Sequence, residues 1–224
     1  MSKPNFFIIG SAKSGTTSLA SLLSENPSVC FSDPKETRFF SKNYHKGIQF
    51  YENKYFRNAN HPLIGEGDVS YFHNPKAAER IVKHYPEAKI IVLLRNPMHR
   101  AFSGYLMGVR AGRFQKPFME TLEVNLEQLK LFEEEKLEYS EIKWEGKLLL
   151  NGHYLNNIKR FLKFWPQDKM KIIIFERLMA NTKPVLEPCA EEFLYHYYKK
   201  RVQDLKYFLN DDIKEWSDFD KKVD

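Results

Sequence analysis

The 224-residue chain has two cysteines, Cys30 and Cys189. They provide neither the density of a disulfide framework nor the spacing of a zinc site, so both read as buried thiols. No long apolar run appears, and the N-terminus lacks a charged region followed by an apolar one. A membrane span and a signal peptide are therefore not expected. These absences predict a cytoplasmic protein, or a catalytic domain trimmed of an anchor. Arginine-rich tracts are missing too: the 35 Lys and Arg are scattered and leave a net charge of +6. That balance suits an anionic ligand and gives no footprint for nucleic acid.

Hydrophobic residues make up 42% of the chain, with 18 Phe and 12 Tyr, enough for one sizeable core. There is no internal repeat or low-complexity linker, so a single domain over residues 1–224 is expected. Phe6–Ile9 is a short apolar run ending in glycine, and Leu19, Leu22 and Leu23 recur at helical spacing over Thr16–Ser24. Further along, 75–85 reads as helix, Ala88–Leu94 as a buried strand, and Pro97 opens another helix. An acidic helix is expected over 117–138, helices over Gly152–Trp165 and Pro184–Tyr198, a strand over Met170–Phe175, and a last polar helix over Leu205–Trp216. Strands alternating with helices predict an α/β, three-layer, P-loop-like domain with a central parallel sheet flanked by helices.

The stretch FIIGSAKSGTTSL, residues 7–19, has the glycine spacing of a nucleotide-triphosphate loop, yet its lysine is Lys13 and Thr16–Thr17 follow the second glycine. A strand-to-helix loop gathers backbone N–H groups at the positive end of a helix, where an anion binds. Gly10 and Gly15 permit the tight path. Lys13 adds a cation, while Ser14, Thr16 and Thr17 offer hydroxyls. The displaced lysine suits the usual β,γ-phosphate grip poorly, and no strand ending in aspartate supplies a magnesium partner. A second strand–turn–helix, IIVLLRNPMHRAFSGY at residues 90–105, puts Arg95 at a strand's carboxyl end and Ser103 eight residues onward. That spacing is about two turns along one helical face, and the guanidinium fork suits a phosphate. Two anion points suggest one ligand with phosphate at both ends.

These two motifs, in this order, resemble those of the sulfotransferases that use 3′-phosphoadenosine 5′-phosphosulfate (PAPS), nearest the branch of bacterial and heparan sulfate-type carbohydrate enzymes. The resemblance implies that Lys13, Ser14, Gly15, Thr16 and Thr17 hold the donor's 5′-phosphosulfate. It gives Arg95 and Ser103 the 3′-phosphate, and leaves 3′-phosphoadenosine 5′-phosphate (PAP) as product. DPKETRFF, residues 33–40, is similar to the segment carrying the catalytic base, which implies Glu36 in that role and Lys13 as electrostatic stabiliser. Lys35 can support either end, and Arg38 is the alternative ion-pair partner of Glu36. GEGDVSYF, residues 65–72, resembles the next family block, but Gly67 stands where heparan sulfate enzymes commonly carry lysine. Glu66 and Asp68 are candidates for a second base, an acceptor contact or a turn cap. Gly152 and Tyr154 are candidate walls of the site, and His153 reads as polar packing.

The resemblance implies transfer of a sulfuryl group to an acceptor hydroxyl of a small molecule or saccharide, without a metal. An amine acceptor, an ATP-dependent kinase and a non-catalytic adenosine-bisphosphate scaffold stay open. Phe39, Phe40, Tyr44, Phe50 and Tyr51 could stack on an acceptor or belong to the core. The family's basic C-terminal clamp is shortened here. Lys199, Lys200 and Arg201 are candidate replacements, and a second copy of the chain is a candidate partner to complete the site.

Overall fold

Among the described residues, five strands pair into one all-parallel sheet in the order β2-β3-β1-β4-β5. They are β1 (Phe6–Gly10), β2 (Val29–Phe31), β3 (Leu63–Gly67), β4 (Lys89–Leu94) and β5 (Met170–Ile174). The computed structural model describes residues 3–134, 141–142, 147–179 and 186–220. The α/β architecture read from the sequence is the one observed. Side chains alternate across β1 as a pleated strand requires. Phe6 and Ile8 pack with Ala20 and Leu93, and Leu19 and Leu23 of α1 (Thr16–Ser24) close over them. Phe7, on the other face, meets Phe40 edge-on and Tyr85 at a tilt. With β1 central and chain connections leaving it in both directions, the loop after β1 lies where open parallel sheets bind ligands.

Tertiary contacts divide the chain into two units. The first, residues 1–94 and 156–175, holds the whole sheet. It also contains α1, α2 (Ile48–Tyr55), α3 (Ser70–His73) and α4 (Ala77–His84). The second, residues 95–155 and 176–224, is helical: α5 (Pro97–Arg110), α6 (Phe118–Glu133), α7 (Lys147–Leu150) and, beyond the connecting helices α8 (Tyr154–Leu162) and α9 (Phe175–Leu178), α10 (Pro188–Leu209) and a 3₁₀ segment at Lys214–Phe219. Within this unit the buried Asn125 side chain accepts from the N–H groups of Leu148 and Leu149, and buried Arg100 donates to the Leu148 carbonyl. Asn96 caps α5 through its side chain, and Pro97 sits in the first turn as its missing N–H allows.

β3 is a central strand that the apolar pattern did not reveal, because two of its five residues are glycine and one is Glu66. Gly65 is required there: a Cβ would come within 2.2 Å of the Phe6 ring. The predicted Leu205–Trp216 helix is broken. Asn210 turns left-handed at φ 50, and Asp211 accepts from Ile213 N–H, so α10 ends before the 3₁₀ segment begins. Cys30 is half-buried and Cys189 exposed, correcting the expectation of two buried thiols. Residues 135–138 of the expected acidic helix and the first two, 184–185, of the helix expected to end at Tyr198 lie outside the described residues. Phe39, Phe40 and Tyr51 are wholly buried and packed on one another, so these three aromatics are core.

Candidate active site

The loop after β1 is pinned before it turns. Ser11 donates its N–H and its hydroxyl to the Leu93 carbonyl, and its hydroxyl lies 2.6 Å from that of Ser14. Both serines are buried, so Ser14 braces the loop from inside. Lys13 takes a left-handed φ of 68, a conformation costly for a side chain with a Cβ. Gly15, the N-cap of α1, has φ 81 and contributes no side-chain cap. A Cβ at Gly15 would lie 2.7 Å from the Phe175 ring, so glycine is demanded twice over. Without a capping side chain the first-turn N–H groups of α1 are available to an anion. Thr16 is buried in that turn and Thr17 is exposed.

Glu36 lies in the same unit, and β3 holds the backbone that carries it. Thr37 donates its N–H (3.2 Å) and hydroxyl (2.5 Å) to Glu66, and Arg38 N–H donates to Asp68 (2.6 Å). Tyr71 (2.7 Å) and Tyr51 (2.5 Å) also donate to Glu66. Asp68 further accepts from the N–H and hydroxyl of Ser70 at 2.9 and 2.6 Å, capping the turn into α3. The two carboxylates considered as second bases are thus engaged internally: they position the segment on which Glu36 stands. The ion contact of Glu36 is with Lys35, Nζ to Oε1 at 3.6 Å.

Burial pushes the Glu66 carboxyl up to about 8, Asp68 adding to the effect while the Thr37, Tyr51 and Tyr71 hydrogen bonds oppose it. The triangle of Glu66, Thr37 and Tyr71 can carry the extra proton, since the 3.2 Å contact between the two hydroxyls accommodates either as donor. A carboxyl with a raised folded-state pKa stabilises fully below its unfolded value, and the contribution is lost as pH rises through the folded value. Stability to urea should therefore fall between about pH 4.5 and pH 8, by an amount on the order of 2–5 kcal/mol. Glu66→Gln should flatten that fall, as urea titrations at several pH values would show. An unchanged slope in the variant would remove Glu66 as its source.

Arg95 and Ser103 belong to the second unit. Arg95 is the first residue after β4; it is half-buried, and burial draws its pKa down while Glu176 raises it. Its carbonyl accepts from the Tyr154 hydroxyl at 2.7 Å. Glu176 accepts from Asn96 N–H at 2.8 Å and from the Trp216 indole at 3.0 Å, while Arg177 pairs with Asp211 and Glu215. The C-terminal segment is thereby tied to the turn after Arg95. Ser103 is half-buried on α5. His153 is kept neutral: burial first, then Arg201 and Arg100, hold it at about 3, and its ring stacks on Tyr197. Lys199 lies over Tyr195, while Arg201 lies over Tyr197 and 3.8 Å from Glu133. Two of the three candidate clamp cations thus have internal partners. Glu176 and Trp216 gave no signal in the sequence, because their partners are 80 and 40 residues away. Glu66 did give one, a lone carboxylate between two glycines.

A family model described as a sulfotransferase domain matches residues 3–214, which runs through both units. A sulfotransferase from Alicyclobacillus acidocaldarius has the same fold, with a TM-score of 0.82 and 27% identity over 96% of this chain and 99% of that one. The human bifunctional heparan sulfate N-deacetylase/N-sulfotransferase 3 is 28% identical over 200 residues, 85% of this chain and 22% of the relative. The membrane-associated sulfotransferase kil1 of Dictyostelium discoideum is 37% identical over 110 residues, 48% of this chain and 23% of the relative. The chain thus spans about a fifth of the length of these two curated relatives. Among the described residues no helix is long and apolar enough to cross a membrane.

Proposed function

Because the chain belongs to the sulfotransferase domain family, we propose that it transfers a sulfuryl group from PAPS to an acceptor hydroxyl, with a saccharide as the acceptor class. The observation that carries this reading is the loop after β1, a glycine-capped helix start behind a lysine held in a left-handed conformation. Such a loop fits a phosphosulfate, which needs donors and a cation but no metal. Bound PAPS supplies a sulfuryl group already activated by its link to the 5′-phosphate. Lys13, the first-turn N–H groups, Thr16 and Thr17 grip that end, with Ser14 bracing the loop, and Arg95 and Ser103 take the 3′-phosphate. Glu36 accepts the acceptor's proton as the acceptor oxygen bonds to sulfur. Lys13 neutralises the bridging oxygen that keeps the electron pair when its bond to sulfur breaks. The saccharide class rests on the heparan sulfate relative, 28% identical over 85% of this chain, whose name as an N-sulfotransferase makes a sugar amine the second acceptor reading.

The test is transfer of labelled sulfate from PAPS, in EDTA, to a panel of saccharides, phenols and amino sugars. Labelled saccharide hydroxyls are the expected result. Labelled amines would overturn the hydroxyl assignment. Phosphorylation from magnesium–ATP with no sulfation would overturn the activity.

A further inference from the structure

Lys35 sits where a cation is hard to explain structurally. Its backbone is fixed, the carbonyl accepting from the Ser32 hydroxyl at 3.1 Å while Ser32 N–H donates to the Gly65 carbonyl along β3. Its ammonium is buried and has no hydrogen-bond partner among the described residues. The Glu36 contact at 3.6 Å is an ion contact longer than a hydrogen bond. A desolvated ammonium whose donors are unused costs free energy unless something else meets it. The side chain lies against residue 67, where a Cβ would come within 2.9 Å of Lys35 Cε and 3.4 Å of Nζ and would push the end of the lysine aside. Gly67 lies in β3 outside the left-handed region, so backbone conformation does not demand a glycine. What the missing side chain provides is room for the lysine.

The place reached is chemically pointed. Gly67 pairs with Ile8 of β1, and Asp68 N–H donates to the Ile8 carbonyl, so Lys35 runs across the end of β3 beside the strand that leads into the Lys13 loop. A base at Glu36 must stand within hydrogen-bond reach of the attacking oxygen, and that oxygen within about 3–3.5 Å of sulfur. An ammonium 3.6 Å from Glu36 stands beside that reaction path.

We propose that Lys35 is a second catalytic cation, whose ammonium, lying against Gly67 and beside Glu36, turns to bind the non-bridging oxygens of the transferring sulfuryl group. The proposal rests on the sulfotransferase reading above. Lys35 gains or loses no proton; it donates hydrogen bonds to oxygens whose charge persists through transfer.

The experiment compares calorimetric affinities for PAPS and for PAP, without acceptor, in wild type, Lys35→Met and Gly67→Ala. PAP lacks the sulfuryl group, so the ratio of the two affinities isolates the contact. The expected result is a PAPS affinity lowered about tenfold or more in both variants, with PAP affinity changed less than twofold. Thermal melting supplies a readout independent of ligand. Methionine fills the same channel without a charge to desolvate, so Lys35→Met should melt no lower than wild type. An unchanged PAPS-to-PAP ratio, or a lowered melting temperature with equal loss of both ligands, would assign Lys35 a structural role and overturn the proposal. Failure of wild type to bind either compound would instead overturn the sulfotransferase reading itself.

Discussion

Glu36→Gln is expected to lower the turnover number for sulfate transfer by about 10²–10⁴-fold, the usual worth of a positioned general base. The substitution preserves size and removes only the capacity to take a proton. Its backbone should stay in place, because Thr37 and Arg38 are tethered to Glu66 and Asp68 through their own N–H groups. PAP affinity should therefore change little, and the loss should appear in turnover. Parallel kinetics and calorimetry would check this. A variant that keeps half its activity would remove Glu36 from the chemistry, and one that loses PAP binding as well would make it a structural residue.

Lys13 is predicted to give the second large effect. Lys13→Gly should reduce turnover by about 10²–10³-fold, as loss of one preorganised charge-stabilising donor does, yet leave the fold no less stable. At φ 68 a lysine strains the backbone, and glycine does not. Strain kept at one residue of a loop points to use there. Chemical denaturation and turnover, measured on the same preparation, should move apart. Equal loss of stability and activity would mean that the lysine is part of the framework.

Much of this architecture was legible in the sequence, for physical reasons. β1 is buried on both faces and reads as a continuous apolar run, and β4 after Lys89 and β5 around the exposed Lys171 are apolar enough to read as strands. The loop and the Arg95 turn announce themselves through glycine, proline and a helix that starts at a fixed place. β3 stayed hidden because its sequence answers to its neighbours: Gly65 yields to the Phe6 ring, Gly67 to Lys35, and Glu66 to three hydroxyls. The aromatics at 39, 40 and 51 were ambiguous, since ring stacking serves a core and a sugar equally. The break after Leu209 has a local mark in Asn210, a residue suited to a left-handed cap, and a distant brace in Arg177 gripping Asp211 from 34 residues away.

The measurement that tests the central claim most directly is calorimetric titration of PAP without metal, beside ATP with magnesium, into wild type and Arg95→Ala. Alanine keeps the Arg95 carbonyl that receives the Tyr154 bond, so the turn should survive. The account predicts metal-free binding of PAP in preference to magnesium–ATP, weakened about 10–100-fold by the substitution, as loss of a charge-assisted phosphate contact implies. Preference for magnesium–ATP, or a bisphosphate affinity indifferent to Arg95, would contradict it.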